Sequence, residues 1–143
     1  MIKVVLDTNV VVSAHLSGEG WEDRVLKLAL HQRLRLCTSE PILAEYERVL
    51  KSPKFNLNPG RIARSLKEIR SASNFVDPTV TLSVSPDEAD NRFLECAEAA
   101  GAHFLVTGNK RHFPKQWSTT QVVTARRLIE LVGRSRSYTA GSS

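Results

Sequence analysis

Three carboxylates stand at positions where a globular protein could use them for chemistry rather than for solubility. Asp7 directly follows an apolar run at residues 2–6, and Glu45 and Asp90 lie in segments with the apolar spacing of a helix. Burying an unpaired carboxylate is costly, so a partner cation, a metal ion or hydrogen bonds must meet any of these acids that is buried. The first question is therefore whether the three acids meet one another or are neutralised separately.

Each of the two helical acids also has a simpler interpretation. On a helical wheel Glu45 falls at the margin of the apolar arc, where it can reach the rim of a site or form an ion pair with Arg48. Asp90 is in line with Leu94 and Ala97, but an acid in the first turns of a helix also stabilises the helix dipole. The spacing alone leaves both possibilities open.

The elements that would position these residues alternate along the chain. Strands are predicted at 2–6, 34–37, 103–106 and 121–123. Helices are predicted from Asp7 to about Leu30 with a break near 17–20, then over about 40–51, 60–72 and 85–100, and finally from Thr124 to Gly133. In the second part of the first helical region, Trp21, Val25 and Ala29 recur at helical spacing. This alternation predicts an α/β fold whose parallel sheet is covered by helices on both faces.

Two boundaries follow from local sequence features. Ser85, Pro86 and Glu88 have the pattern of a capping box, which predicts a helix with Ser85 as its N-cap and Pro86 as its first residue. Residues 1–133 are predicted to form one domain, and the tail at 134–143 is predicted to be disordered because it has few apolar residues.

The polar interruptions fall where predicted strands end. Asp7 follows the first strand, Thr107 and Asn109 follow the strand at 103–106, and Asp90 begins the helix before that strand. Ligand sites in open parallel sheets lie at the carboxyl ends of the strands. These residues converge only if the sheet places the strands side by side.

Composition narrows the class of protein. The 143 residues carry a net charge of +5, which favours a polyanionic partner but is also compatible with a simple gain in solubility. No apolar run is long enough to span a bilayer, and the N-terminal residues lack a signal-peptide pattern. Cys37 and Cys96 are far apart in sequence and are predicted to be buried thiols in a reducing compartment. We expect a cytoplasmic protein with no membrane association.

Three segments, VVLDTNVVVSA, SEPILAEYERVL and DEADNRFLECAEAAGAHFLVTGNKRHFP, together resemble the PIN-domain ribonucleases, and especially the VapC toxins of prokaryotic toxin–antitoxin systems. The resemblance extends from about residue 2 to about residue 132. It implies a three-layer α/β/α sandwich with a parallel central sheet whose carboxyl edge carries a cluster of acids. It also implies a metal-dependent endoribonuclease that acts as the toxin of a toxin–antitoxin pair.

The resemblance assigns roles position by position. It implies that Asp7, Glu45 and Asp90 hold Mg²⁺ or Mn²⁺ and carry catalysis, with Asn9 and Thr107 in support. Hard divalent cations prefer such oxygen ligands. Many PIN domains have an acid where this chain has Asn109, which we therefore expect to be a weak or outer metal ligand. Asp87 could supply the missing charge, although the predicted capping box argues against it.

Partners are also implied. RNA phosphates are expected to contact Lys110 and Arg111, beside Asn109. A second basic set is either a further phosphate contact or a solvated helix face: Arg61, Arg64, Lys67 and Arg70. An antitoxin protein and a homodimer are implied by the resemblance. The dimer would use the helices at 40–51 and 60–72, unless Tyr46, Phe55 and Leu57 complete the core of the monomer.

Two alternatives remain at this point. One is a PIN fold that binds RNA but is catalytically impaired by Asn109. The other is a phosphatase with an aspartate nucleophile, which is disfavoured because Asn9 stands where that chemistry needs a second acid. His112, in NKRHFP, is either a surface residue or a neighbour of the site.

Overall fold

The computed structural model describes the backbone of residues 1–142 and the side chains of residues 1–133. The described backbone contains one six-stranded sheet in the order β3-β2-β1-β4-β6-β5. Its strands are β1 (Lys3–Leu6), β2 (Arg35–Thr38), β3 (Ser73–Phe75), β4 (Phe104–Val106), β5 (Gln116–Trp117) and β6 (Thr120–Val123). Neighbouring strands are parallel except for the edge pair β5 and β6, which is antiparallel.

Six helices flank this sheet within the described residues. They are α1 (Thr8–Leu16), α2 (Trp21–Leu30), α3 (Glu40–Leu50), α4 (Pro59–Ala72), α5 (Glu88–Ala100) and α6 (Ala125–Ser142). Short 3₁₀ helices lie at Pro53–Phe55 and Lys110–His112. The predicted α/β class and the three-layer α/β/α sandwich with a parallel central sheet are confirmed, with one antiparallel edge strand, β5, that the sequence did not predict.

The two helical layers follow from the direction in which the chain crosses the sheet. The chain moves one way from β1 to β2 to β3, and then returns from β3 to β4 through α5. Right-handed crossovers in opposite directions place their helices on opposite faces. Accordingly, α5 contacts β1, β2 and β4, while α2 and α6 pack against each other and contact β2 and β4 respectively.

The core lies on both sides of β1. Val4, Val5 and Leu6 are fully buried, as expected for a central strand covered on both faces. Tyr46 on α3 is also fully buried, and its hydroxyl donates to the carbonyl oxygen of Leu6. This hydrogen bond fixes α3 beside the carboxyl end of β1.

The start of α5 corrects one prediction. Its N-cap is Asp87 rather than Ser85, and the Asp87 side chain accepts a hydrogen bond from the Ala89 amide at 3.0 Å. The helix therefore begins at Glu88 rather than at Pro86. Ser85 instead lies in the preceding loop, and its hydroxyl donates to Asp90. The capping box predicted from Ser85 was therefore wrong. Ser85 and Asp87 are both of residue types that cap helices, and the structure uses Asp87.

The C-terminal helix also differs from its prediction. The Thr124 hydroxyl accepts from the Arg127 amide as the predicted cap, but the helix continues past Gly133 to Ser142. The predicted boundary between a domain at 1–133 and a disordered tail at 134–143 falls where side chains are outside the described residues, and it stays a prediction.

Two further expectations concern burial and membranes. Cys37 and Cys96 are both buried free thiols, as predicted. Within the described residues, no helix has both the length and the apolar character that crossing a membrane requires.

Candidate active site

Asp7 is a buried carboxylate at the carboxyl end of the central strand. It is only 6% exposed, because β1 lies between β2 and β4 and the chain turns directly into α1 after it. As the N-cap of α1, its Oδ1 atom accepts from the Thr8 amide at 2.7 Å. An acid at a helix N-terminus is stabilised by the helix dipole, which partly offsets the cost of its burial.

The second oxygen of Asp7 is held by the neighbouring strand. Its Oδ2 atom accepts from the Thr107 hydroxyl at 2.7 Å and from the Asn9 amide group at 3.1 Å. Asn9 in turn accepts from the Gly108 backbone amide at 3.0 Å, and the Thr107 hydroxyl accepts from the Asn109 amide at 2.9 Å. Asn9 and Thr107 thus lie in hydrogen-bond contact with Asp7, the residue that they were expected to support. These hydrogen bonds connect the carboxyl end of β1 to that of β4.

Asp90 approaches the same edge from α5. It is 7% exposed, and its Oδ2 atom accepts from the Ser85 hydroxyl at 3.3 Å and lies 3.6 Å from Nδ1 of His112. The loop before α5 is folded onto this acid by Asn91, which accepts from the amides of Val84 and Ser85 and donates to the carbonyl oxygen of Ser85. Sequence reasoning missed the roles of Ser85 and Asn91, and only the adjacency of Asp90 and Asn91 hinted at them.

Burial and nearby charges shift the pKa values of both acids. Burial raises the pKa of Asp90 to about 6, with further contributions from the negative charges of Asp7 and Asp87, while the Ser85 hydrogen bond and His112 act in the opposite direction. Burial also raises the pKa of Asp7, and the hydrogen bonds from Thr107 and Thr8 partly lower it. A cation bound between two carboxylates would offset their negative charge and lower both pKa values, and pKa values raised in this way are typical of functional sites.

Glu45 is not joined to this pair. Its carboxylate accepts two hydrogen bonds from the Arg48 guanidinium, at 2.7 and 3.1 Å, so the structure contains the ion pair that the sequence left as an alternative. The backbone of Glu45 nevertheless lies near Asp7, because the next residue, Tyr46, donates a hydrogen bond to the carbonyl oxygen of Leu6, the residue before Asp7. Among the described residues, no three His, Cys, Asp or Glu side chains are arranged to hold a metal ion.

The basic residues predicted to contact RNA divide into two groups. Three of the predicted residues are exposed and follow β4 after Thr107 and Gly108, beside the site: Asn109, Lys110 and Arg111. Two cations of α4 are instead engaged elsewhere: Arg70 forms a bidentate ion pair with Glu40, and Arg61 donates to the carbonyl oxygen of His15. The α4 set is thus partly a solvated, ion-paired helix face, as the simpler interpretation held.

The donor set at this edge suits a hard divalent cation. Of the two carboxylate oxygens of Asp90, only Oδ2 accepts a hydrogen bond from a described residue. The buried hydroxyl of Thr8, the residue after Asp7, has no hydrogen-bond partner among the described residues. Carboxylate and hydroxyl oxygens are the ligands that Mg²⁺ and Mn²⁺ prefer. A cation there would also offset the repulsion between the two acids.

The raised pKa of Asp90 predicts a pH-dependent cost to stability when metal is absent. The folded protein holds this proton more tightly than the unfolded chain, so the contribution is complete at about pH 4 and is lost as the pH rises through about 6. In EDTA, Asp90→Asn should therefore match the wild type near about pH 4 and exceed its free energy of unfolding by about 1–3 kcal/mol near about pH 7.5. Urea unfolding at both pH values measures the difference. A control variant, Asp77→Asn, at an exposed position, should show no such trend, and a gap between Asp90→Asn and wild type that is independent of pH would contradict the interpretation.

Comparisons with known proteins agree with this architecture. A family model for the PIN domain matches residues 3–111. The uncharacterized protein MJ1680 of Methanocaldococcus jannaschii is 35% identical over 112 residues, which are 76% of this chain and 72% of that protein. A chain in the crystal structure of VapBC2 from Rickettsia felis, bound to a DNA fragment from their promoter, aligns with a TM-score of 0.54. That alignment has 19% identity and covers 85% of this chain and 97% of the other, so it is a likeness of fold alone.

Proposed function

Because this chain belongs to the PIN domain family, we propose that it is a metal-dependent endoribonuclease and the toxin of a toxin–antitoxin pair. The observation that carries the proposal is the pair of buried carboxylates, Asp7 and Asp90, at the carboxyl edge of a parallel sheet. Burial raises the pKa of each acid, so a cation that offset their charge would be favoured between them. The test is RNA cleavage in the presence of a divalent metal, which the wild type should show and Asp7→Asn should lack.

The proposed chemistry is hydrolysis of an RNA phosphodiester. Asp7 and Asp90 would hold Mg²⁺ or Mn²⁺, which when bound supplies an acidified water and neutralises charge on the phosphate. Thr107 and Asn9 fix the orientation of the Asp7 carboxylate through their hydrogen bonds. Asn109 stands beside them as a weaker oxygen donor, and the exposed His112 adjoins Asp90 at the rim.

Asn9 also bears on the phosphatase alternative. A general acid at that position would have to donate a proton, which an amide cannot do. Here the Asn9 side chain donates to Asp7 and accepts from the Gly108 amide, so both of its ends serve to position the site. The arrangement therefore favours a nuclease over an aspartate-nucleophile phosphatase.

The substrate is proposed to be held by phosphate contacts at Lys110 and Arg111. Removing both side chains (Lys110→Ala with Arg111→Ala) should reduce the slope of log affinity against log salt by roughly 1.4, since each contact to a single strand contributes about 0.7. Fluorescence anisotropy with a labelled single-stranded RNA measures this slope. The matched control, Arg33→Ala with Arg35→Ala, removes two cations next to the start of β2 at the opposite edge and should leave the slope unchanged. An unchanged slope for Lys110→Ala with Arg111→Ala would exclude both residues from the contact surface.

A second candidate function is an RNA-binding PIN domain without catalytic activity, and the Glu45–Arg48 ion pair is the observation that favours it. If Glu45 belongs to a catalytic metal site, its carboxylate must leave the ion pair with Arg48 and bind the metal ion instead. Glu45→Gln should then weaken activation by Mn²⁺ by about 10–100-fold, as is typical for loss of a group that supports a metal site. Glu47→Gln, which breaks the solvent-exposed pair with Lys51 on the same helix, is the control and should not change activation. Equal behaviour of the two variants would remove Glu45 from the site.

The toxin role implies a cytoplasmic protein that must be restrained by an antitoxin. We propose that the antitoxin covers the acids with a basic side chain, because a buried pair of carboxylates attracts a cation. Expression of the wild type alone should stop growth, and co-expression with the product of a neighbouring small gene should restore it. Harmless expression of the wild type would contradict the toxin role while leaving the nuclease assignment intact.

We also propose a homodimer, although the apolar residues that suggested one are used within the monomer. Tyr46 is fully buried, and Phe55 and Leu57 pack against the core. A dimer would therefore have to use other surfaces of α3 and α4. Light scattering decides the matter, because a mass near the monomer value of 15.9 kDa would exclude the dimer.

A further inference from the structure

Trp21, the first residue of α2, is a large apolar side chain left at the surface. The helical spacing predicted that it would share the buried face with Val25 and Ala29, and those two residues are indeed fully buried. Trp21 is instead 38% exposed. A single exposed apolar side chain is common in soluble proteins, so the groups beside the Trp21 ring decide what the ring could bind.

Two guanidinium groups flank the exposed ring. The Arg24 guanidinium carbon lies 5.0 Å from the ring centroid and that of Arg126 lies 5.9 Å away. Among the described residues Arg24 forms no salt bridge, whereas Arg126 shares Glu130 with Arg127. An aromatic ring with adjacent arginines is the combination that binds single-stranded nucleic acid, since the ring stacks on a base and the arginines contact phosphates.

This cluster of Trp21, Arg24 and Arg126 lies at the same edge of the sheet as the carboxylates. Arg126 is the second residue of α6, which starts directly after β6. The end of β6 adjoins the site, because the Thr107 amide donates to the Val123 carbonyl oxygen at 3.0 Å and the Thr107 hydroxyl donates to Asp7. Strand β6 is two positions from β1 in the sheet, so the carboxyl ends of these two strands are roughly 10 Å apart.

We infer that Trp21, Arg24 and Arg126 form a stacking subsite for an unpaired nucleobase of single-stranded RNA, next to the carboxylate site. The inference deepens the proposed function, since it names where a nucleotide flanking the cleaved bond is held. It also gives the substrate class a physical basis, because a base must be unpaired and unstacked to lie against the ring. The two arginines then contact the phosphates on either side of that base.

Tryptophan fluorescence tests the subsite without any need for cleavage. The chain has two tryptophans, so a Trp117→Phe background leaves Trp21 as the only indole fluorophore. In EDTA, a short oligouridylate should quench its emission, and an abasic ribose-phosphate strand of the same length and charge should not. Trp21→Ala should weaken binding of the oligouridylate by about 5- to 150-fold and leave binding of the abasic strand unchanged.

Control variants separate stacking from charge and from folding. Trp21→Phe should retain part of the affinity, while Arg24→Ala with Arg126→Ala should weaken both strands equally. Val80→Ala, which trims another exposed apolar side chain, should change neither. Equal affinity of wild type and Trp21→Ala for the oligouridylate would overturn the subsite and make Trp21 a residue for protein contacts. Failure of the wild type to bind either strand would overturn the proposed RNA substrate as well, whereas quenching by a protein that never cleaves RNA would support the subsite and contradict only the nuclease.

Discussion

Asp7→Asn is expected to reduce metal-dependent RNA cleavage by about 10³-fold, because a catalytic cation contributes several kcal/mol of transition-state stabilisation and each 1.36 kcal/mol is about tenfold in rate. Asparagine remains a good N-cap, so α1 should still form. It removes the charge that would hold the cation, and it presents at most one oxygen where Asp7 now accepts from Thr8, Thr107 and Asn9. Single-turnover cleavage of a labelled single-stranded RNA in Mg²⁺ measures the loss.

Asp23→Asn is the matched control for that experiment. Asp23 is another buried carboxylate, 8% exposed, but it lies on α2 and pairs with Lys27 at 2.8 Å. Its substitution should lower the free energy of unfolding without reducing the cleavage rate of the folded protein. If Asp7→Asn cleaves at the wild-type rate with contaminating nuclease excluded, the carboxylate pair is not the catalytic centre.

Thr107→Val should reduce cleavage by about 10–100-fold, the usual cost of losing a group that orients a metal ligand. The valine keeps the shape of the threonine but can neither donate to Asp7 nor accept from the Asn109 amide. The Asp7 carboxylate would then be free to rotate, and the turn after β4 would lose one of its hydrogen bonds. Steady-state cleavage with the metal concentration varied should show the loss chiefly as weaker activation by Mg²⁺.

Thr120→Val provides the comparison. The Thr120 hydroxyl is also buried and donates to a backbone carbonyl, that of Ala102, but it lies at the start of β6 rather than at the carboxyl edge. Thr120→Val loses one buried hydrogen bond and should lose about 1 kcal/mol of stability, whereas Thr107→Val loses two and should lose about twice as much. Only Thr107→Val should change the dependence of cleavage on metal, and an equal change in both would reduce Thr107 to a structural residue.

Local sequence patterns predicted most of the helices and strands, because each of these elements is determined by residues that are close together in the sequence. The apolar run before Asp7 identified the central strand, and Gly101 marked the end of α5 through its left-handed backbone. The start of α5 could not be decided in the same way. Ser85 and Asp87 are both capping residues, and the choice between them depends on the hydrogen bonds of Asn91 to the preceding loop.

Convergence of the site required information that the sequence pattern does not contain. Asp7 and Thr107 meet because β1 pairs directly with β4, a strand order that follows from the whole packing of the chain. The side-chain partner of Glu45 was equally undetermined, since the helical wheel placed it at a margin from which either Arg48 or the site is within reach. Similarly, helical spacing grouped Trp21 with Val25 and Ala29, but only those two residues are fully buried, because spacing does not show how far a neighbouring helix covers the first turn of α2.

Cleavage of a single-stranded RNA by EDTA-stripped protein, followed by mass analysis of the product ends, tests most directly the claim that Asp7 and Asp90 form a metal-dependent phosphodiesterase site. Hydrolysis, in which water is the nucleophile at phosphorus, leaves linear phosphate and hydroxyl ends. Attack on the same phosphorus by the neighbouring 2′-hydroxyl of the RNA needs no metal and leaves a cyclic phosphate. Asp7 and Asp90 would hold the cation that assists the first reaction. The account predicts no cleavage in EDTA, saturable recovery with Mg²⁺ or Mn²⁺, and linear ends throughout. Cleavage that persists in EDTA, or products that end in a cyclic phosphate, would contradict it.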